Sequence, residues 1–318
     1  MTQLSWSTIQ QGLALISFIA TVCVTFAFFA VVTLQIGLSV VRKKTWPATS
    51  RFQKIVLAAG SFGCLCVLYG SFVEPYWLDV THVQIPTDKF KKGHSVRIAH
   101  ISDIHSDPVK RLEDALPESI KKEKPDIIIF TGDAINSQTG LEIFRECLTK
   151  IAKIAPTYVV KGNWDSWYFR NLDRFGGTGA IELLGKPSLA EVRSERLWIT
   201  GLPVGSSASI ESTVMGTPES DYRVFCFHYP DFVATASKNK IDLVLSGHTH
   251  GGQVALPLYG ALVTLAQTGK QYESGLHRFN GTYIYTNRGI GMEGGKAPRV
   301  RFCARPELTI IDIMGTAK

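Results

Sequence analysis

The chain has 318 residues, 45% of them hydrophobic, and a formal net charge of +7 at pH 7. It contains no low-complexity segment or evident repeat, and the part beyond the first third is long enough for one large core. Its six cysteines are scattered, which argues against a disulfide framework, a thiolate zinc site and a cysteine nucleophile, and slightly favours a reducing compartment.

The beginning of the chain predicts a membrane anchor. Residues 1–41 carry no charged side chain, and from Gly12 onward the apolar run exceeds the roughly 20 residues that a spanning helix needs. The uncharged start and the long run are not typical of a cleaved signal peptide, so we expect a retained helix at about 12–36.

A second uncharged run covers residues 55–73. As a helix it is about 28 Å long, just enough to cross a hydrocarbon core. Its three glycines dilute the signal, although close helix packing in membranes can use glycine. We therefore expect a two-helix anchor within residues 1–73 and an integral protein of the cell (inner) membrane.

The loop between the two runs contains only basic charges, at Arg42, Lys43, Lys44, Arg51 and Lys54. Basic loops stay in the cytoplasm, so two crossings place the following domain outside the cytoplasm, whereas one crossing places it inside. This topological role accounts for the basic charge better than contact with anionic lipid or nucleic acid, and we expect no nucleic-acid partner.

Residues 74–94 are predicted to be a linker, and residues 95–318 to be one domain.

Five polar fragments in this domain each follow a short apolar run that is typical of a buried strand. In open α/β sheets ligands gather outside the carboxyl ends of strands, so we expect these fragments to converge. The runs are 96–101, 127–130, 158–160, 224–227 and 243–245, and the fragments after them are Asp103-Ile104-His105, Gly132-Asp133, Gly162-Asn163-Trp164-Asp165, His228 and Gly247-His248-Thr249-His250.

The residue types in these fragments indicate a metal site. Asp103 and His105 are two positions apart, so a regular strand through them would turn both to one face. Carboxylate, imidazole and amide groups suit first-row divalent ions. Two such ions about 4 Å apart can hold the attacking and the leaving oxygen of an in-line displacement.

Each fragment alone has an ordinary explanation. Asp-x-His is common by chance, a single histidine such as His228 is more often a core residue, and two glycines after His250 are typical of a turn. Five fragments that each follow an apolar run favour the metal site. The remaining histidines are predicted to lie outside it: His82, His94, His100 and His277.

In order and surroundings the fragments resemble the calcineurin-like metallophosphoesterase family, over about residues 94–315. The resemblance implies an α/β fold with two packed mixed β-sheets flanked by helices. Helix-like stretches at 112–122 and 141–153 and later strand runs at 197–200, 283–285 and 308–313 suit that fold.

The resemblance also implies a pair of divalent metal ions, with manganese expected and iron or zinc acceptable to the same ligands. One ion would take Asp103, His105 and His250, the other Asn163, His228 and His248, and Asp133 would bridge them. Asp133, Asn163 and His228 are also assigned a catalytic role, with hydroxide held by the metals attacking phosphorus.

Trp164 departs from the family pattern, in which a histidine contacts the phosphate and protonates the leaving oxygen. An indole cannot do so, and cleavage of an alkyl ester should lose about 10²- to 10⁴-fold. A leaving phosphate, with a pKa of about 6, needs no proton. We therefore expect a preference for phosphoanhydrides or activated esters, unless another residue supplies the proton or Trp164 stacks on a substrate base or sugar.

The late segment resembles the membrane-associated bacterial branch of the family through Gly251-Gly252-Gln253 and the turn at Arg288. Arg288 is either a bidentate phosphate ligand or an ordinary surface arginine. Three functions stay open: a hydrolase of the cytoplasmic nucleotide-sugar lipid UDP-2,3-diacylglucosamine, an extracytoplasmic phosphodiesterase or phosphatase acting on lipid head groups or envelope polymers, and an inactive membrane-bound binding module. The complete ligand set disfavours the third.

Overall fold

The computed structural model describes residues 6–43, 48–295 and 298–317. Two long helices, α1 (Trp6–Lys43) and α2 (Arg51–Phe72), come first. Lys44 of the predicted basic loop and Lys318 at the end of the predicted domain lie outside the described residues.

Both helices are long and apolar enough to cross a membrane, and their apolar side chains are mostly exposed. α1 extends beyond the predicted span 12–36 at both ends, and α2 begins four residues before the predicted span 55–73 and ends at Phe72. They pack on each other through Val32, Ile36 and Val56. Gly60 lies so close to the Phe29 ring that an added Cβ would be 2.2 Å from a ring carbon, which is the use of glycine expected between packed membrane helices.

The prediction that residues 74–94 form a linker is wrong. Strand β1 (Asp79–Lys91) pairs in parallel with the last strand, β14 (Glu307–Ala317), and buries Ile85 and Phe90. β1 is an edge strand, where a proline such as Pro86 is tolerated. This proline and the charged stretch at 88–92 are not typical of a strand, which is why the sequence did not predict β1. Because β1 belongs to the first sheet, the folded domain begins well before residue 95.

The first sheet also contains β2 (Ser95–Ile101), β3 (Ile127–Phe130), β4 (Thr157–Val159) and β5 (Ile181–Glu182). Its strand order is β1-β14-β2-β3-β4-β5. Only β14 and β2 are antiparallel neighbours. Strands β2 to β5 run parallel and deliver their carboxyl ends to one edge, while β1 and β14 run in the opposite direction.

The second sheet contains β6 (Ser188–Val192), β7 (Glu195–Gly201), β8 (Tyr222–Cys226), β9 (Leu243–Ser246), β12 (Gly275–Phe279) and β13 (Thr282–Thr286). Its order is β12-β13-β9-β8-β7-β6, with parallel strands in the centre and an antiparallel strand at each edge. A separate hairpin joins β10 (Ala255–Leu256) to β11 (Gly260–Ala261).

The main core lies between the sheets, where Ile98 and Ile129 of the first sheet belong to one cluster with Val224 and Leu245 of the second. Helices α3 (Ala115–Glu123) and α4 (Leu141–Ala152) cover the outer face of the first sheet. Helices α6 (Ile210–Val214) and α7 (Val233–Lys238) cover the second, and the short α5 (Asn163–Trp167) follows β4. The predicted fold class, two packed mixed sheets flanked by helices, is confirmed.

Candidate metal centre

The predicted site residues lie just beyond the carboxyl ends of strands from both sheets. The expectation that a regular strand continues through Asp103 and His105 is wrong, because β2 ends at Ile101. Asp103 and His105 follow β2, Asp133 follows β3, Asn163 follows β4, His228 follows β8, and His248 and His250 follow β9.

Tight turns, rather than strand alternation, direct these side chains. Non-glycine residues rarely adopt a positive φ, and each instance costs about 1–3 kcal/mol. Such strain is typical of functional sites. Five site residues adopt it: Asp103 at 50°, His105 at 44°, Asp133 at 59°, His248 at 71° and His250 at 51°.

The potential ligand atoms form two overlapping groups. Those of Asp103, His105 and His250 lie within 4.8 Å of one another, as do those of Asp103, Asp133 and His228. Oδ2 of Asp133 is 3.6 Å from His105 Nε2 and 3.2 Å from His228 Nε2. Asp133 therefore lies within reach of both groups, while Asp103 is the residue that the two groups share.

These atoms fit divalent cations because their bonding capacity is unused. Oδ1 of Asp103, Nε2 of His105 and Nε2 of His228 are buried without a hydrogen-bond partner among the described residues. An unpaired buried polar atom costs about 1–3 kcal/mol, which a metal ion would remove. Nδ1 of His228 donates to the Thr131 carbonyl oxygen at 2.8 Å, which leaves Nε2 as the ring atom that a metal would bind in exchange for its proton.

Asn163 and His248 border this cluster. The Asn163 side chain is buried, and its Oδ1 is also unpaired within the described part of the chain. The His248 ring lies 5.2 Å from the His228 ring, centroid to centroid, while its Nε2 is 3.4 Å from the Leu265 carbonyl oxygen. The neighbours of Asn163, Gly162 and Trp164, contact Asp133, whereas the His248 ring packs beside His228 without joining either group of ligand atoms.

Glycines in two of the fragments permit this convergence. A Cβ on Gly247 would lie 2.2 Å from Asp103 Oδ2, and one on Gly162 would lie 2.1 Å from Asp133 Oδ1. A side chain at either position would displace a carboxylate of the cluster. The close approach of the Asp103 and Asp133 carboxylates therefore explains why glycine precedes His248 and Asn163.

The histidines predicted to lie outside the cluster have partners elsewhere. Nε2 of His82 pairs with Glu123, Nδ1 of His94 with Glu195, and Nε2 of His277 with the Ser274 carbonyl oxygen. His100 is buried behind the site, 3.0 Å from Thr131 Oγ1.

The model of the calcineurin-like phosphoesterase family matches residues 96–252. This domain of the chain belongs to that family. The matched segment contains all seven predicted metal ligands.

Three relatives illustrate the range of this phosphoesterase family. The uncharacterized metallophosphoesterase YkuE of Bacillus subtilis is 28% identical over 81% of this chain and 92% of its own length. Phosphodiesterase YaeI of Escherichia coli is 28% identical, covering 77% and 92%. UDP-2,3-diacylglucosamine pyrophosphatase LpxG of Chlamydia trachomatis is 25% identical, also covering 77% and 92%. This chain is accordingly a metal-dependent phosphoester hydrolase with two candidate divalent-metal sites.

Opposing electrostatic effects meet at this phosphoesterase site. Burial raises the pKa of Asp103 to about 7, against the nearby positive charge of His228. Burial opposes a charged His228, but Asp133 and Asp103 outweigh it and raise the His228 pKa to about 10. Burial lowers the pKa of His105 to about 4 and that of His248 to about 3, so both are neutral and available to a metal at pH 7.

Trp164 stands where the family resemblance led us to expect a histidine. Its ring packs edge-on against His105, with centroids 5.3 Å apart. Its indole Nε1 points to Oε1 of Glu293 at 3.4 Å, and its backbone N–H donates to Asp133 Oδ1 at 2.8 Å. Burial raises the pKa of Glu293 above its usual value. Sequence reasoning missed this carboxyl group beside the site.

The Arg288 guanidinium forms ion pairs outside the ligand cluster and is not placed there as a phosphate ligand. It pairs with Asp79 at 2.8 Å and with Glu307 at 3.2 Å, because these carboxylates lie within reach at the sheet edge. The arginine beside the ligands is Arg301, whose Nη2 is 3.3 Å from His250 Nδ1. Arg301 is fully buried, and no motif in the sequence marked it.

Asp165 is a positioning residue that sequence reasoning also left without a role. Its carboxylate accepts hydrogen bonds from the backbone N–H groups of Asp133, Ala134 and Gly162, at 2.8, 3.1 and 2.9 Å. Its Oδ1 is 3.2 Å from Nε of the buried Arg174. Asp165 thus holds the turns that present Asp133 and Asn163. Its position in the fragment Gly-Asn-Trp-Asp, beside the predicted ligand Asn163, could have indicated this role.

Proposed function

We propose that this chain is a membrane-anchored hydrolase that cleaves phosphoanhydride bonds or activated phosphoesters of a lipid-linked substrate on the extracytoplasmic side of the cell membrane. Asp103, His105 and His250 would hold one metal ion, and Asn163, His228 and His248 the other, with Asp133 between them. Bound divalent ions would supply Lewis acidity and a nucleophile at neutral pH. Manganese is the expected metal, since availability often decides among ions that such ligands accept.

The protein's own groups orient this chemistry. Thr131 fixes the His228 tautomer through Nδ1, and the backbone N–H of His248 holds Asp103 Oδ2 at 3.0 Å. Asp165 holds the Asp133 turn. These contacts fix the ligands before substrate binds, which reduces the reorganisation that catalysis requires.

The observation that carries the bond preference is the indole at position 164. Its only N–H points to Glu293, and it cannot protonate a leaving alkoxide. A leaving phosphate is already a stable anion at neutral pH. The preference is therefore for bonds whose leaving group needs no proton.

The charge distribution favours the extracytoplasmic side. α1 and α2 form a hairpin, and the chain enters the catalytic domain directly after α2. Arg51 and Lys54 lie at the opposite end of α2, next to the basic loop. Because basic loops remain cytoplasmic, a spanning hairpin leaves the domain on the other side.

A second candidate is hydrolysis of UDP-2,3-diacylglucosamine in lipid A synthesis. The similarity to LpxG favours it, and its diphosphate bond suits the missing proton donor. This nucleotide-sugar substrate is cytoplasmic, so the second candidate requires the opposite membrane orientation.

One assay separates the two candidates. Detergent-purified protein with Mn²⁺ is offered UDP-2,3-diacylglucosamine beside bis-p-nitrophenyl phosphate, with Asp133→Ala as the inactive control. Release of p-nitrophenol without UMP supports the first candidate, whereas rapid UMP release establishes the second. Failure to cleave either compound with Mn²⁺, Fe²⁺ or Zn²⁺ would contradict both.

A further inference from the structure

A cleft of about 400 Å³ lies between α1 and the catalytic domain. We call it the lateral cleft, and define its walls by Leu15, Phe18 and Ile19 of α1 and by Val254, Leu262 and Leu265 of the domain. Its inner end is lined by His248, His250 and Glu293. The cleft therefore connects the surface of an apolar helix with two predicted metal ligands.

The helix is attached at this place by a specific polar contact. Oε1 of Gln11 accepts hydrogen bonds from the Thr264 backbone N–H at 2.9 Å and from Thr264 Oγ1 at 3.3 Å. Gln11 is only 8% exposed, although α1 is otherwise largely unburied. A helix that served only as a tether would not need this buried contact four residues before Leu15.

The outer end of the cleft opens toward apolar surroundings. Ile19 and Leu265 line the cleft and are still 50% and 63% exposed. The hairpin of β10 and β11 lies between Val254 and Leu262 in sequence and presents Leu258 fully to the exterior. Apolar side chains exposed next to a membrane-spanning helix are typical of contact with lipid.

We propose that the lateral cleft binds a hydrocarbon chain of a membrane lipid while the phosphate of that lipid lies at the metal centre. The exposed lining is mostly apolar, and its titratable side chains are His248, His250 and Glu293, two of which are predicted metal ligands. This combination matches a ligand with an apolar tail and a phosphate head. The volume is within the range of small-molecule pockets and suits a single chain segment. The proposal rests on the proposed function, because it assigns the lipid part of that substrate.

A chain-length assay tests the cleft with soluble probes. Octyl p-nitrophenyl phosphate and methyl p-nitrophenyl phosphate share an activated leaving group and differ only in the chain. Burial of one methylene contributes roughly fourfold to binding, so burial of even part of the chain should raise kcat/KM for the octyl ester at least about 100-fold.

Two matched variants locate the effect. Leu265→Glu places a charge at the cleft and should lower the octyl to methyl ratio at least about tenfold. Leu258→Glu changes an equally apolar, exposed residue outside the cleft and should keep the wild-type ratio. Equal rates for both esters in the wild type, or equal ratios in the two variants, would overturn the proposal. If neither ester is cleaved, the proposed function fails instead.

A binding measurement tests the cleft without turnover. Vesicles containing phosphatidic acid with a photoactivatable acyl chain are mixed with the full-length Asp133→Ala variant and irradiated. Crosslinks should concentrate in residues 13–20 and 254–265. Crosslinks spread evenly along α1 and α2, as general lipid contact would give, would contradict a specific cleft.

Discussion

At the scale of single residues, Asp133 belongs to one ligand group and also approaches His105 of the other. Its Oδ2 lies within 3.6 Å of His105 Nε2 and 3.2 Å of His228 Nε2. Since metals supply several kcal/mol of charge stabilisation, Asp133→Ala should lower kcat at least about 10³-fold. Metal analysis of the purified variant should show less than the wild-type content. Near-normal turnover with full metal content would contradict the bridging assignment.

Trp164→His should restore a proton donor beside the ligands. We expect cleavage of alkyl phosphodiesters to rise about 10²-fold, while cleavage of a matched diphosphate changes little, because only the alkoxide leaving group needs a proton. Parallel assays of both substrates measure this ratio. Trp164→Phe is the matched control, and an equal gain there would show that removing the indole, rather than adding an acid, is responsible.

Asp165 should contribute mainly to stability. Asp165→Ala leaves the buried Arg174 without its carboxylate and three backbone N–H groups without their acceptor, which should cost about 3–5 kcal/mol in the free energy of unfolding. Denaturant titration measures the loss. Asp173→Ala removes an exposed carboxylate that accepts from Phe175 and Gly176 and should cost about 1 kcal/mol. Equal losses would contradict a special role for Asp165.

At the scale of elements, the apolar runs predicted the strands that carry the site, because strands buried on both faces need continuous apolar sequence. β3 begins at Ile127 and β9 at Leu243, as expected. The turns that carry the ligands could not be predicted from the sequence, because nothing in the residue types of Asp103 or His105 indicates a left-handed φ. β1 was missed because an edge strand tolerates Pro86 and charged residues. Arg301 and Glu293 acquire their positions only through contacts distant in sequence.

The pairing of α1 and α2 depends on small residues. Gly60→Leu should force α2 away from Phe29 and cost about 1–3 kcal/mol of stability, the usual range for overpacking. Thermal unfolding in detergent measures the change. Gly37→Leu is the control, because nothing within the described residues lies within 4 Å of a Cβ there. A comparable loss at both positions would contradict specific packing at Gly60.

At the scale of the whole molecule, α2 is joined rigidly to the catalytic domain. The Glu74 carboxylate accepts from the backbone N–H groups of Cys303 and Ala304, at 3.0 and 2.6 Å, and Arg301 N–H donates to the Gly70 carbonyl oxygen at 2.9 Å. Arg301 also approaches His250. The end of a predicted membrane helix is therefore connected to a predicted metal ligand through one arginine.

The proposed orientation of the whole molecule rests on its basic loop. Alkaline phosphatase fused after the last residue should be active in cells, because a spanning hairpin with a cytoplasmic basic loop leaves the domain outside. A green fluorescent protein fusion at the same position is the matched control and should be dark. Bright fluorescence with an inactive phosphatase would place the domain inside and favour the UDP-2,3-diacylglucosamine candidate.

In the proposed membrane orientation, the 38-residue length of α1 would set the height of the metal centre above the lipid. A hydrocarbon core needs only about 20 residues of helix, so if the span is counted back from the basic loop, the first turns of α1, with Gln11 and Thr264, rise above it. Leu15 to Ile19 then lie near the boundary of the lipid. An enzyme placed at this height meets its substrate by diffusion within a plane. Its turnover would depend on the mole fraction of that lipid in the bilayer and would not change when the same vesicles are diluted in water.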